Sequence, residues 1–362
     1  MMQIQSIGLA TPGKPIPQSD LLQLAFLYNA ETEQERLRLE RIYRGSKVSQ
    51  RHSVLGMSAH DSKEALEGVL DFYKHEHSKG PTTHERMCVY ESHATALSSE
   101  ACLAALRTSA INPDTITQLI TVSCTGFTAP GQDAGLIASL ELSPTIGRTH
   151  IGFMGCHAAL NAMRVANALI RADPKERVLL CCTELCTLHF QYGNDPQDAI
   201  ANALFADGAA AVVAQSYDAS VLLPTTRTFH AENLPKTRDM MSWRIGDHGF
   251  RMRLDPAVPQ MIKTELKPSI TAWLKKLRLS LDQIGSWAIH PGGPKIIDAV
   301  QQTLELTDEA TQDSRDILSD YGNMSSPTIL FTLDRLMKAN APKPWVVLGF
   351  GPGLAIEAAL LT

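Results

Sequence analysis

The chain contains no apolar run that approaches the roughly 18 residues a membrane-spanning helix requires. Its opening residues, MMQIQSIGLATPGKP, lack a charged segment followed by an apolar core, so no secretory leader is expected. There is no basic excess either. Against 38 Asp and Glu stand 33 Lys and Arg, a formal net charge of −5, which argues against a nucleic-acid partner. No CxxC pair occurs, and the adjacent Cys181 and Cys182 would point to opposite faces of a strand, so no metal site is expected. The GxSxG elbow of serine hydrolases is missing, as are the GxGxxG and GxxxxGK[ST] loops that cradle nucleotides. The 7 cysteines are an odd number set mostly in apolar runs. That fits reduced thiols in a cytoplasmic protein better than a disulfide framework. Cys88 and Cys102 read as buried structural thiols.

What the sequence does hold is enough apolar material for a large core. Hydrophobic residues make up 44% and charged residues 20% of 362, which excludes disorder and predicts two domains or one double-layered one. Apolar runs at 118–124, 150–155, 177–185, 209–215, 286–290 and 344–351 read as strands. Helical patterns at 157–172 and 327–339 lie among them. Such alternation predicts an α/β fold whose strands are apolar on both faces because helices cover both sides. The stretch 216–228 is the boundary candidate, dividing the chain into halves 1–218 and 219–362. Residues 29–52, dense in charge and basic toward their end, read as an exposed helix followed by a loop. That stretch is equally compatible with a solvated face and with an anion site.

Four places could carry chemistry. Cys156, in GFMGCHAALNAMR, follows an apolar strand (151–154) and a glycine turn and precedes a helix. A thiol at a helix N-terminus is favoured as thiolate. His290, in SWAIHPGGPKIIDAV, sits where a buried strand ends, and Gly292-Gly293 permit close backbone approach. Asn323, in DYGNMSSPTILF, reads on its own as no more than an N-cap. GFGPGL near the C-terminus is a side-chain-poor turn suited to the rim of a buried site. Other histidines have weaker claims. His75, His77 and His84 lie in a polar stretch, and helix geometry turns His157 about 100° away from Cys156.

Cys156, His290 and Asn323, taken in order with GFMGCHAALNAMR, ANALFADGAAA, IHPGGPKIID, YGNMSSPTILF and GFGPGL, resemble the type III polyketide synthases. These form the chalcone-synthase-like branch of the thiolase superfamily, here of bacterial type. The resemblance implies the αβαβα thiolase-like fold with two duplicated half-domains, assembled as a homodimer. It implies no cofactor, with acyl-CoA and malonyl-CoA as substrates. Cys156 would accept the starter acyl group as a thiolate paired with the His290 imidazolium. His290 and Asn323 would hold the malonyl thioester oxygen while carbon dioxide leaves, and the enolate would extend the chain. Phe205 would stand between the coenzyme A tunnel and the cavity.

Within that resemblance, Cys124, Ala129, Cys186, His189 and Trp243 fall at cavity positions, with Met252 and Ser325 on the wall. Cys124, Cys186 and His189 stand where plant chalcone synthases carry threonines, Ala129 where a methionine projects from the partner subunit, and Trp243 near a glycine. Chalcone is therefore not the expected product. An alkylpyrone or alkylresorcinol from a medium or long acyl-CoA is, with a malonyl-primed tetrahydroxynaphthalene as runner-up. A single-condensation β-ketoacyl-carrier-protein synthase III is the nearest rival, and a catalytically dead thiolase-like scaffold a more distant one. Arg38, Arg41, Lys47 and Gly293 would meet coenzyme A. Gly45 stands where the family has a third cation.

Overall fold

The computed structural model describes residues 1–74 and 79–362, so His75 and His77 lie outside the described residues. The first strands are β1 (Met2–Ala10), β2 (Ile16–Pro17), β3 (Gln50–Arg51), β4 (Gln118–Ser123), β5 (Gly147–Gly152), β6 (Val178–Leu185) and β7 (Asp207–Ser216). They are followed by β8 (Thr226–Asn233), β9 (Met241–Gly246), β10 (Gly249–Leu254), β11 (Ser286–Ile289), β12 (Trp345–Gly351) and β13 (Ala355–Leu361). The helices begin with α1 (Gln18–Asn29), α2 (Glu33–Gly45), α3 (Ser62–Tyr73), α4 (Thr83–Ser109), α5 (Gln132–Ser139) and α6 (Ala158–Ala172). After them come α7 (Pro196–Leu204), α8 (Val258–Lys276), α9 (Pro294–Leu304), α10 (Asp308–Tyr321) and α11 (Thr328–Lys338).

Two sheets organise these elements. One, ordered β1-β7-β6-β4-β5, is drawn from residues 2–216; the other, ordered β11-β12-β13-β8, from residues 226–361. On the outer face of the first sheet, Leu97, Ala101 and Ala105 of α4 pack against Leu119, Leu179 and Ala211. Between the sheets lie α6 and α11. Leu160, Met163, Ile329 and Leu333 touch a core shared by Ile120, Leu180 and Val212 of one sheet and Val347 and Ala359 of the other. Ile262 and Ile270 of α8 and Val300 of α9 cover the far face of the second sheet at Trp287, Val346 and Ala358. The result is five layers, αβαβα, with each sheet covered on both faces. The pleat separates the two adjacent cysteines, Cys181 toward α4 and Cys182 toward the central helices.

β6 is buried at every position, but β5 departs from that expectation, because its exposure alternates along GRTHIG. It is an edge strand and, among the described residues, pairs with β4 alone. Cys88 also differs: it is exposed on α4, whereas Cys102 is buried on the same helix. His84 is exposed in the first turn of α4. The charge-dense stretch forms α2, opened by a Thr32–Glu35 capping box and burying only Leu39 and Tyr43. With α1, α3 and α7 it makes a small helical cap around Leu21, Leu24, Tyr43, Val69 and Tyr73. Among the described residues no helix is long and apolar enough to cross a membrane.

Candidate active site

The ends of β4, β5, β11 and β12 converge, and the turns that follow them carry the chemistry. β5 stops at Gly152, sooner than the sequence suggests, because Phe153 (φ 56°) and Gly155 (φ 72°) both adopt left-handed backbone. A side chain at Gly155 would meet Pro352 Cδ at 2.4 Å, so the GFGPG turn requires glycine there. One 3-10 turn, Gly155–His157, then leads into α6 and sets Cys156 at the mouth of that helix. Cys156 Sγ lies 4.0 Å from Asn323 Oδ1, and the Gly155 N–H donates to Cys124 Sγ at 3.0 Å. Contrary to the lowering expected at a helix N-terminus, burial pushes the Cys156 thiol up to about 11. Hydrogen bonding with Ser325 and Asn323 pulls it down without overcoming that effect.

His290 follows β11 directly and donates its backbone N–H to Leu348 O on β12 at 2.8 Å. The ring is buried and, among the described residues, neither nitrogen has a hydrogen-bond partner. Burial pushes the imidazole down to about 3, and the nearby His157 acts in the same direction. Burial thus favours the neutral form of both groups and opposes the thiolate–imidazolium pair implied by the resemblance, because desolvation disfavours both charges.

Asn323 is not an N-cap. Its backbone bridges to Leu204 O (2.8 Å) and Ala206 N (3.0 Å), which clips it beside Phe205. Its Oδ1 accepts from the Ser325 N–H at 2.8 Å, and its Nδ2 donates to Gly292 O across a long 3.3 Å. That weak bond leaves the amide available as a donor.

Three spaces meet around these residues. Cys156, His290 and Asn323 share a cleft walled by Leu204, Phe205, Met252 and Phe350. A second space opens from Cys156 between Cys124, Cys186, Phe205, Trp243, Met252 and Ser325. A third does not touch Cys156 but shares Cys186, Phe205, Trp243 and Met252 with the second. It reaches under α1 and α3 to Leu24, Val69 and Tyr73. Phe205 and Met252 thus stand on all three. Trp243 is fixed across the second space by its indole N–H on Cys124 O at 2.8 Å. His189 belongs to the third. It stacks on Phe250 with ring centroids 4.3 Å apart, donates from Nε2 to Thr125 O and accepts the Phe250 N–H at Nδ1. Burial pushes it down to about 3, so it is a neutral wall rather than an acid or base. Ala129 is exposed and lines none of these spaces within its own chain, because the loop after Cys124 turns outward.

The residues expected to meet coenzyme A lie beside the first cleft. α2 packs on α7, whose Gln197, Ala201 and Leu204 line that cleft. Arg38 Nη2 donates to Asn194 O at 2.8 Å, while its Nε is buried without a partner among the described residues. Arg41 and Lys47 are exposed; Lys47 adjoins Val48, which packs on Leu204 and Ile297. Gly293 (φ 154°) precedes α9 and follows Gly292, which lines the cleft; an added Cβ on Gly293 would lie 3.5 Å from Leu204.

Two residues escaped the sequence reading. Glu184 is fully buried beneath the site and accepts from the Cys124 N–H (2.9 Å), the Thr125 hydroxyl and the Ser326 hydroxyl (2.7 Å each). Burial pushes its carboxyl up to about 7. A lone acid in the otherwise apolar VLLCCTEL was the available signal. Arg51 holds Phe205 in place through its carbonyl at 2.6 Å and was masked by the charge around it.

The five-layered architecture is the thiolase-like fold, and it brings a thiol, an imidazole and a carboxamide onto one cleft. Comparison with known proteins gives the family. Residues 1–217 match the N-terminal domain of chalcone and stilbene synthases and residues 227–362 the C-terminal domain. The chain is 31% identical to the alpha-pyrone synthesis polyketide synthase-like Pks18 of Mycobacterium tuberculosis, over 99% of this chain and 90% of that one. It is also 31% identical to the 1,3,6,8-tetrahydroxynaphthalene synthase of Streptomyces peucetius, over 99% and 92%. Among solved structures it is similar to PKS-I of the brown alga Ectocarpus siliculosus, with TM-score 0.91 and 30% identity over 99% and 97% of the two chains. The chain belongs to the chalcone and stilbene synthase family of type III polyketide synthases, enzymes of the acyltransferase type.

Proposed function

We propose that the enzyme loads an acyl-CoA starter on Cys156, extends it with malonyl-CoA and cyclises the product to an alkylpyrone or alkylresorcinol. The observation that carries this reading is the meeting of Cys156, His290 and Asn323 on one cleft with Phe205 at its throat. As Cys156 Sγ attacks the thioester carbonyl, its proton passes to the unpartnered His290 ring and from there to the departing coenzyme A sulfur. Malonyl-CoA then loses carbon dioxide, and the negative charge developing on its thioester oxygen is met by the His290 N–H and Asn323 Nδ2. The enolate carbon forms a bond to the Cys156-bound carbonyl and the cysteine sulfur leaves.

Arg38, Arg41 and Lys47 are assigned to the coenzyme A phosphates, and Gly293 to close backbone approach. Gln197 Oε1, buried and unpartnered on the cleft wall, suits an amide N–H of the pantetheine arm. A fatty acyl tail is favoured by the third space. Its polar wall residues are largely turned to protein partners, as in Arg51 to Asn202 O, Ser53 to Thr187 and Asn202 to Gln191 O. What remains facing inward is apolar, and each buried methylene contributes about 0.8 kcal/mol. The Alpha-pyrone and tetrahydroxynaphthalene relatives match equally well at 31%. A malonyl-primed naphthalene product is favoured only by the indole of Trp243, which confines the space next to Cys156.

The test is mass spectrometry of products from malonyl-CoA with starters of increasing chain length. Rising turnover with chain length, giving pyrones or resorcinols, is expected. Malonyl-CoA alone yielding a naphthalene as the main product would replace this reading with the second.

A further inference from the structure

We propose that Arg164, Glu357 and Asn161 form a positioning relay that holds His157, and through it the Cys156 turn, in register with His290; this rests on Cys156 being the acyl acceptor. Arg164 pairs with Glu357 Oε2. Glu357 Oε1 accepts from Asn161 Nδ2 at 2.9 Å, and Asn161 Oδ1 faces His157 Nδ1 at 2.8 Å. Because the carboxylate is anchored by the arginine, the amide has one satisfied orientation, with its NH₂ toward Glu357. Its oxygen is then an acceptor, so His157 carries its proton on Nδ1.

The relay joins the two halves of the molecule. His157, Asn161 and Arg164 are spaced i, i+4 and i+7 and share one face at the start of α6, whereas Glu357 comes from β13. The imidazole also leans on β12. A Cβ on Gly351 would stand 2.1 Å from His157 Cδ2, and one on Gly349 would lie 3.3 Å from His157 Cβ. Immediately before those glycines on the same strand is Leu348, whose carbonyl receives the His290 N–H at 2.8 Å. A continuous path therefore runs from Cys156 through its neighbour His157 to β12 and on to His290. None of the four relay residues lines the cleft that holds Cys156, so they act by position. A half-buried polar chain with every link bonded specifies one arrangement where apolar packing would tolerate several.

The test uses the full-length enzyme and follows acyl transfer from butyryl-CoA to protein by intact-protein mass spectrometry. Asn161→Leu and Glu357→Gln should each slow the loading rate at saturating thioester about 10- to 100-fold, as a displacement near 1 Å does, with KM changed less than about twofold. The double variant should be no slower than the worse single one, since the links act in series. In the parent enzyme, the ¹³Cδ2 and ring ¹⁵N shifts of His157 should report the Nδ1–H tautomer. Glu357→Gln carries the kinetic test if Asn161→Leu does not fold. Folded variants that load at the parent rate, or an Nε2–H tautomer in the parent, would overturn the relay. Cys156→Ala is the separate control: loading that survives it removes Cys156 as acceptor, whatever the relay variants do.

Discussion

Asn323 illustrates how a residue that reads weakly alone becomes specific in the fold. Its Oδ1 is tied to the Ser325 N–H, which forces Nδ2 outward, where only the long bond to Gly292 O holds it. An amide so placed can transfer its donor to a charge that appears during reaction. Asn323→Ala should therefore slow malonyl-CoA decarboxylation by about 10²–10³ while slowing starter loading much less, since one lost oxyanion donor has that magnitude. Carbon dioxide release and acyl-protein mass, measured in parallel, check it. Equal losses in the two steps would assign Asn323 to architecture instead. Cys156 and His290 were legible because each closes an apolar strand next to glycine. The Asn323 environment was not, because its partners lie up to 167 residues away in sequence.

At the scale of elements, the layered fold could be read from the alternation of apolar runs, since strands such as β6 and helices such as α11 announce themselves locally. What β6 does for the site could not be read, because Glu184 takes its donors from the end of β4 and from the loop before α11. The raised carboxyl has a consequence for stability. With the unfolded group near 4.5 and the folded one at about 7, the folded protein holds the extra proton between those values. Stability from this group is fully present below 4.5 and is lost as pH rises through 7, a fall of about 3 kcal/mol. Asp207, pushed up by burial to about 6, acts in the same sense, so the comparison needs a variant. Denaturant unfolding at pH 5 and pH 8 should show Glu184→Gln losing less stability than the parent over that interval; parallel losses would place the titration elsewhere. α2 supplies a second expectation. Arg38→Ala with Arg41→Ala should raise KM for acyl-CoA with little change in kcat, because phosphate contacts remote from the reacting carbon stabilise substrate and transition state alike. Added salt should weaken binding in the parent more than in the double variant. An unchanged KM would move the phosphate site off α2.

Over the whole molecule, the apolar surface is not evenly spread. Phe127 (56% exposed), Phe153 (40%) and Met154 (39%) crowd the rim beside the active site, the two rings 6.3 Å apart and both against the buried Phe250. β5, one of the two edge strands of the larger sheet, leads directly into this patch and, among the described residues, leaves one side of its backbone unpaired. An exposed aromatic patch continuous with an open strand edge is suited to a two-fold contact, in which the same surface serves both copies. Ala129 belongs to the same face, exposed between Phe127 and the helix α5, so a partner copy is what could bring it to a cavity. We therefore expect the enzyme to sediment at twice its 39.5 kDa chain mass. Phe127→Glu combined with Phe153→Glu should give monomers that keep their far-ultraviolet circular dichroism, because burying two carboxylates at a contact costs several kcal/mol each unless they find partners. Sedimentation equilibrium decides the matter: a monomeric parent removes the contact altogether, and a double variant that remains dimeric moves it to another face, leaving these aromatics to serve the site's rim alone.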